Sequence, residues 1–361
     1  MFLREILELS EELNVNGFDY PFFGVNKEKE FMPTAATTEG LNKKKYKIIR
    51  KDKFVYSGMQ TGRDVCIRFA LYSHTEPLLL SPAYTILKVS KENVLPDYVF
   101  LNFLSFEKDR LGWFYSDGSV RANLDLPRFL DIDIPIPSLD TQHKYADAYN
   151  ALRKLAEQNE AMIRPLLEFC TAIVSKFMNK NISVELNDFI EPIDERNTNL
   201  EISLSQGISN EKLFTNPKQT AVNSKSDKIV RKGNFAYNRA TTRNGDKISI
   251  AYRTGEDCTV SSAYQVFRIK EEKKLNPLYL LLWFMRPEFD RYARYVSKGS
   301  AHEFFEYDEI CRVKIPLPPI EVQESIVAIY KCAEKARSIA ERAREEMKRI
   351  CPAMVQRAAH Q

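Results

Sequence analysis

Apolar and polar positions alternate in short runs through two long stretches of the chain, and each stretch gives way to a helical rhythm of threes and fours. Val65-Cys66-Ile67-Arg68-Phe69, Thr85-Ile86-Leu87-Lys88-Val89 and Ile248-Ser249-Ile250-Ala251-Tyr252 predict strands, bounded by turn signals such as Asn244-Gly245. Apolar stretches that follow a proline, Tyr98 to Phe106 and Tyr279 to Met285, predict helices packed on those strands. From Gln323 onward, Ile326, Ile329, Ala333, Ala336, Ala340, Ala343, Met347, Ile350 and Met354 keep the spacing of a coiled-coil seam. Pro165 and Pro352 predict kinks or ends in the helices that contain them.

The pattern occurs twice. Ile134-Pro135-Ile136-Pro137-Ser138-Leu139-Asp140-Thr141-Gln142 is echoed 181 positions on by Ile315-Pro316-Leu317-Pro318-Pro319-Ile320-Glu321-Val322-Gln323. The same shift carries Phe54 and Tyr56 onto Phe235 and Tyr237, Pro96 and Tyr98 onto Pro277 and Tyr279, and Ser116, Gly118 and Ser119 onto Ser297, Gly299 and Ser300. A chain of 361 residues is therefore one unit written twice. Shifting the second seam back gives Tyr145, Ala148, Leu152, Leu155, Asn159, Met162, Leu166, Phe169 and Ile173 as the first. Asn159 on that seam either fixes register or faces solvent at a frayed spot.

The expected fold class is α+β: two similar recognition domains joined by two long helices that form an antiparallel coiled coil, with an internal pseudo-twofold repeat. The expected boundaries are domain 1 over 1–140, spacer helix 1 over 141–180, domain 2 over 181–321 and spacer helix 2 over 322–361. The Ile-Pro-x-Pro segments remove backbone donors and are expected to end the last strand of each domain. Two heads on a strut suit a split recognition site, because a helix of that length spans on the order of 55 Å at about 1.5 Å per residue.

Composition narrows the chemistry. With 44% hydrophobic and 28% charged residues the chain builds a core, and a net charge of +4 leaves any anionic partner to local patches. The six cysteines are scattered and expected to be reduced core residues. The first residues carry acids where a signal peptide needs a basic start, so a cytoplasmic location is expected, with no membrane association.

Local candidates for DNA contact follow from side-chain type. Lys43, Lys44 and Lys45 open a basic segment suited to phosphate, or equally to protecting a strand edge. Beyond the Phe-x-Tyr anchors, Gln60, Thr61 and Arg63 in the first unit, and Asn238, Arg239, Thr241, Thr242, Arg243 and Asn244 in the second, are able to pair with base edges or meet a thymine methyl. A second pair of loops offers Ser116, Ser119, Arg121 and Asn123, and Ser297, Lys298, Ser300 and His302, with glycines that allow close backbone approach. Plain turns are the alternative for these.

A variable α+β region, an Ile-Pro-Leu-Pro-Pro-Ile-x-x-Gln exit and a long helix, all repeated, resemble the specificity (S) subunit of type I restriction-modification systems. The resemblance rests on Gly299-Ser300, Ile315 to Gln323 and the matching first-half segments, and it covers nearly the whole chain. It implies two target-recognition domains that each read half of a bipartite, asymmetric site in double-stranded DNA. It also implies a coiled coil on which methyltransferase (modification) subunits dock, with the restriction/translocase subunit joining through the complex. The protein is then non-catalytic and carries no cofactor, S-adenosylmethionine, ATP and Mg being expected only in partner subunits.

Two other classes stay open: a related DNA methyltransferase or nuclease specificity protein with its own activity, and a two-headed scaffold that never touches DNA. Asp19-Tyr20-Pro21-Phe22 superficially resembles an adenine-methyltransferase motif, but Tyr stands second and a turn is the simpler reading. Glu271-Glu272-Lys273-Lys274 lacks the upstream Pro-Asp of a nuclease core, and the chain contains no G-x-x-x-x-G-K-[ST] phosphate loop. None of His74, His143, His302 and His360 sits in a pattern with a nucleophile and a carboxylate.

Overall fold

The computed structural model describes residues 1–34, 37, 39–177, 183–217, 223–240, 247–299 and 303–358, the side chains of 350–358 excepted. The chain divides into two units, Met1–Gln158 with Ile339–Gln361, and Asn159–Ser338.

In the first unit a sheet has the order β1 (Leu7–Leu9), β8 (Thr85–Val89), β5 (Lys53–Ser57), β6 (Arg68–Tyr72), all antiparallel. A second sheet has the order β3 (Phe31–Pro33), β2 (Phe22–Val25), β7 (Leu78–Leu80), β4 (Lys47–Ile49). The middle strands are apolar on both faces because both are covered. Phe54, Tyr56, Phe69, Leu71 and Leu87 enter the main core, while Val55, Ala70, Tyr72 and Ile86 enter a smaller one with Val25 and Leu80 from the second sheet. Helices α2 (Pro96–Asn102), α3 (Phe106–Tyr115) and α4 (Leu126–Leu130) close the main core, with Phe103 and Phe129 fully buried in it.

The second unit repeats this. Its principal sheet runs β10 (Ile190–Ile193), β17 (Tyr264–Ile269), β14 (Asn234–Asn238), β15 (Ile250–Tyr252). Three two-stranded ladders accompany it: β11 (Gly207–Ile208) with β12 (Phe214–Thr215), β13 (Lys228–Val230) with β16 (Cys258–Val260), and β18 (Lys314–Pro316) with β9 (Ser183–Glu185). Phe235, Tyr237 and Phe267 face the main core; Ala236, Ala251 and Val266 face the smaller one. Helices α6 (Pro277–Phe284), α7 (Pro287–Val296) and α8 (Tyr307–Cys311) match α2, α3 and α4 in order.

Some local expectations shift. β6 begins at Arg68, because Val65 takes a left-handed conformation (φ 48°) that ends the short helix α1 (Thr61–Asp64) before the strand can start. The stretch from Tyr98 to Phe106 is two helices, parted where the Ser105 hydroxyl accepts the Lys108 amide at 3.3 Å and caps the second. β18 ends at Pro316, where proline withdraws the next ladder donor.

The long helices are α5 (Leu139–Phe177) and α9 (Ile320–Ala358), each 39 residues. Neither ends at its proline: α5 runs through Pro165 and α9 through Pro352. In the first unit Tyr149 of α5 shares the main core with Met347 of α9; in the second, the Cys170 thiol lies 3.8 Å from the Ile326 carbonyl. Rising numbers on α5 meet falling numbers on α9, so the two helices pair antiparallel. On α9 the buried row is Ile326, Tyr330, Ala333, Ala336, Ala340, Ala343 and Met347, close to the expected seam. On α5 the buried row is Ala146, Tyr149, Ala156, Asn159, Cys170 and Val174, and Leu155, Met162 and Phe169 are turned outward. The inward face is broader than the expected seam: Asn159 of that seam is buried and Tyr145, Leu152 and Ile173 pack against the cores, while Ala146, Tyr149, Ala156, Cys170 and Val174, each one residue on and about 100° round the helix, are buried beside them. Asn159 is buried in mid-helix, which removes the frayed, solvent-facing alternative for it.

Candidate nucleic-acid interface

In the first unit the two candidate loops leave different elements and are laced into one surface. The loop after β5 meets the loop after α3 through three hydrogen bonds: Leu124 amide to Gly58 carbonyl at 2.9 Å, Gly62 amide to Ala122 carbonyl at 2.8 Å, and Gln60 amide to the Asn123 side-chain oxygen at 2.9 Å. Glycine is required at this seam. A Cβ on Gly58 would stand 1.7 Å from the Leu124 carbonyl oxygen, and one on Gly62 would stand 2.7 Å from the Ala122 Cβ. Gly118, at the loop tip where close approach was expected, has open space around it.

The second loop is organised by Asp117. Its Oδ1 accepts the Ser119 amide at 3.1 Å, the Ser119 hydroxyl at 2.5 Å and the Asn123 amide at 3.0 Å. Those bonds, the Ser119 hydroxyl foremost, hold its carboxyl below the usual aspartate range. Val120 and Arg121 are thereby presented to solvent, Val120 completely. The first loop is organised by Asp64, whose carboxylate receives Arg63 at 3.0 Å, Arg68 at 2.5 Å and Lys27 at 3.5 Å. The hydrogen bond from Arg63 is the largest reason that this carboxyl too is held low.

The sequence-derived candidates fall into distinct places. Arg63 is exposed and also donates to Gln60 Oε1 at 2.6 Å; Met59 is exposed beside them. Thr61 is turned inward, fully buried, with its hydroxyl donating to the Gly58 carbonyl at 3.1 Å. Ser116 donates to the Gly112 carbonyl at 2.8 Å and closes the end of α3. Lys43, Lys44 and Lys45 form a single 3-10 turn ahead of β4, capped by Asn42, with Lys43 paired to Asp19. Among the described residues no hydrogen bond or ion pair joins these lysines to either loop. The Asp19 segment has no regular structure and no turn of its own, contrary to the turn expected for it, and runs directly into β2 at Phe22.

The second unit repeats the lacing where it is described. The Phe305 amide donates to the Arg239 carbonyl at 2.8 Å, the counterpart of Leu124 to Gly58, and Ala240 bridges Phe304. Arg239 lies over the Phe304 ring at 6.0 Å, donates to the Ala263 carbonyl at 3.2 Å and pairs with Glu306 at 3.3 Å. Asn238 Oδ1 accepts the Ala240 amide at 3.1 Å. Ser297 donates to the Ala293 carbonyl at 2.6 Å, while Lys298 stands out into solvent within 3.4 Å of Glu309. Thr241, Thr242, Arg243, Asn244, Ser300 and His302 lie outside the described residues.

The sequence carries no sign of the Asp64–Arg68 pair, because Asp64 ends α1 and Arg68 opens β6 beyond the left-handed Val65, so no helical spacing relates them. Nor did it single out the exposed Trp113 and Phe114, which end α3 just before the second loop. In a helix with no net amphipathic pattern, such residues carry no sign of which way they face.

A family model described as type I restriction modification DNA specificity domain matches the chain twice, over residues 4–168 and 163–349. Among solved structures, the S subunit of the type I restriction-modification system from M. genitalium is similar to this chain with a TM-score of 0.59 at 11% identity, over 99% of this chain and 95% of that one. The HsdS subunit from Thermoanaerobacter tengcongensis gives a TM-score of 0.38 at 16% identity, over 99% and 95%. A comparison with curated proteins returned no match.

Proposed function

The chain belongs to the type I restriction modification DNA specificity family, and from that membership we propose that each unit reads one half of a bipartite, asymmetric site in double-stranded DNA through its pair of laced loops. The observation that carries this is the repeated seam itself. The hydrogen bonds of Leu124 to Gly58 and of Phe305 to Arg239 stand at the same place in both units, while the loop sequences beside them differ. A shared scaffold with unlike tips is what reading two unlike half-sites demands. In unit 1 the tip offers Arg63, Arg121, Met59 and Val120; cations suit guanine edges or phosphate, and apolar groups suit thymine methyls.

The chain directs modification and restriction without performing either. Methyltransferase subunits dock on the outward side of α5, where Met162 and Phe169, seven residues apart, stay exposed. The restriction/translocase subunit joins through that assembly. S-adenosylmethionine, ATP and Mg then belong to those partners.

The test is selection from random-sequence DNA with the full chain and its methyltransferase subunits, followed by sequencing of the retained fraction. Two short fixed blocks around a constant gap are expected. No enrichment would favour a scaffold that does not touch DNA, and methyl transfer or cleavage by the chain alone would favour an enzyme.

A further inference from the structure

Among the described residues, each unit holds a lysine–aspartate pair whose lysine side chain is buried. Lys29, at the turn between β2 and β3, places its Nζ 2.8 Å and 3.0 Å from the two carboxylate oxygens of Asp109 on α3, and donates to the Phe103 carbonyl. Lys212, at the turn between β11 and β12, places its Nζ 2.6 Å from Asp290 on α7 and 3.0 Å from the Ile248 carbonyl. Both lysines have a left-handed backbone, φ 63° in each case, and side chains only 4% and 5% exposed.

The aspartate does more than answer the lysine. Asp109 Oδ1 also accepts the Ile67 amide at 2.9 Å, and Asp290 Oδ1 the Ile248 amide at 3.2 Å. Ile67 and Ile248 follow the first loop of their units, and α3 and α7 lead directly into the second. One carboxylate therefore ties the hairpin turn, the exit of the first loop and the approach to the second. The sequence around the turns is itself repeated: Gly24-Val25-Asn26-Lys27-Glu28-Lys29-Glu30-Phe31 matches Gly207-Ile208-Ser209-Asn210-Glu211-Lys212-Leu213-Phe214 at a shift of 183. An apolar pair of the same volume would avoid desolvating two charges, and non-glycine residues rarely adopt that backbone conformation. Stability alone is a poor account of keeping the arrangement twice.

We infer that Asp109 with Lys29, and Asp290 with Lys212, are positioning residues for sequence reading, each pair fixing the relative placement of the two recognition loops of its own unit and so governing one half-site. This rests on the DNA-reading function proposed above. Asp109→Asn keeps an acceptor for the Ile67 amide but removes the charge that holds Lys29. Asp290→Asn does the same in the second unit.

The experiment is the random-DNA selection on the intact complex with wild type and each single variant, alongside thermal unfolding. Expected is a loss of about tenfold in base preference at one or more positions of a single block, with the other block intact and the affected block exchanged between the two variants. Should either variant fail to fold, the apolar pair Lys29→Met with Asp109→Leu keeps the packing and is expected to blur the same block. Preserved preference in a folded variant overturns the inference, as does equal blurring of both blocks or uniform weakening on all sequences. Those outcomes leave the DNA-reading function standing, whereas absence of enrichment by the wild type removes both.

Discussion

Gln142 is locked to Leu95: its side-chain oxygen accepts the Leu95 amide at 2.9 Å, and its nitrogen donates to the carbonyls of Asn93 at 3.0 Å and Pro137 at 2.9 Å. Gln323 makes the same three bonds with Asn276, Lys274 and Pro318 at 2.9, 3.0 and 2.8 Å. Both glutamines are fully buried in the first turn of a long helix, so each fixes where the helix leaves its domain. Replacing either by leucine strands three backbone groups. We expect Gln142→Leu or Gln323→Leu to cost about 2–4 kcal/mol, read by urea unfolding. A loss below about 1 kcal/mol would show that water takes over these bonds.

Glycine matters at the loop seam and not at the loop tip. Gly58→Ala drives a methyl into the Leu124 carbonyl and should disrupt the two-loop surface, whereas Gly118→Ala meets open space. DNA binding and unfolding measured side by side should show a clear defect in the first and a stability change within about 0.5 kcal/mol in the second. Equal effects would contradict the seam.

Arg63 stands exposed with its guanidinium held by Gln60 and Asp64. Arg63→Ala should relax one position of the block read by the first unit, at a cost of about 1–3 kcal/mol if it meets a guanine. If affinity instead falls evenly on every sequence and the salt slope drops by about one, the contact is to phosphate.

Acid should loosen the first loop. Asp64 is held below the ordinary aspartate range by the hydrogen bond from Arg63, helped by the charges of Arg63, Arg68 and Lys27. A carboxylate depressed on folding adds stability that is complete above its unfolded pKa and disappears as pH falls through the lower, folded value. Unfolding followed from neutral to acid pH should therefore show an acid-side loss that is smaller in Asp64→Asn. An identical acid limb in the variant would clear Asp64 of the role.

The outward row on α5 gives a partner-specific prediction. Met162→Glu places a charge on a side chain 47% exposed, so the isolated chain should unfold as before. Its assembly with the methyltransferase subunits, followed by sedimentation or co-purification, should weaken. Undiminished assembly would move the docking surface elsewhere.

By itself the sequence determined the duplication and the existence of two long helices, because these depend on local periodicity. It also pointed to the loops after the Phe-x-Tyr anchors and to those beginning at Ser116 and Ser297. Tertiary structure alone decided which side chains those loops present. Thr61 turns inward and Arg63 outward from one short helix, since packing against Ala122 and Leu124, some sixty residues away in the chain, sets its orientation. The inward face of α5 likewise depends on α9, so of the expected seam Tyr145, Leu152, Asn159 and Ile173 pack inward while Leu155, Met162 and Phe169 stay exposed. Lys29 and Asp109 read as ordinary surface charges until the hairpin folds over α3, because a buried ion pair is a property of two distant segments meeting and neither segment encodes it alone.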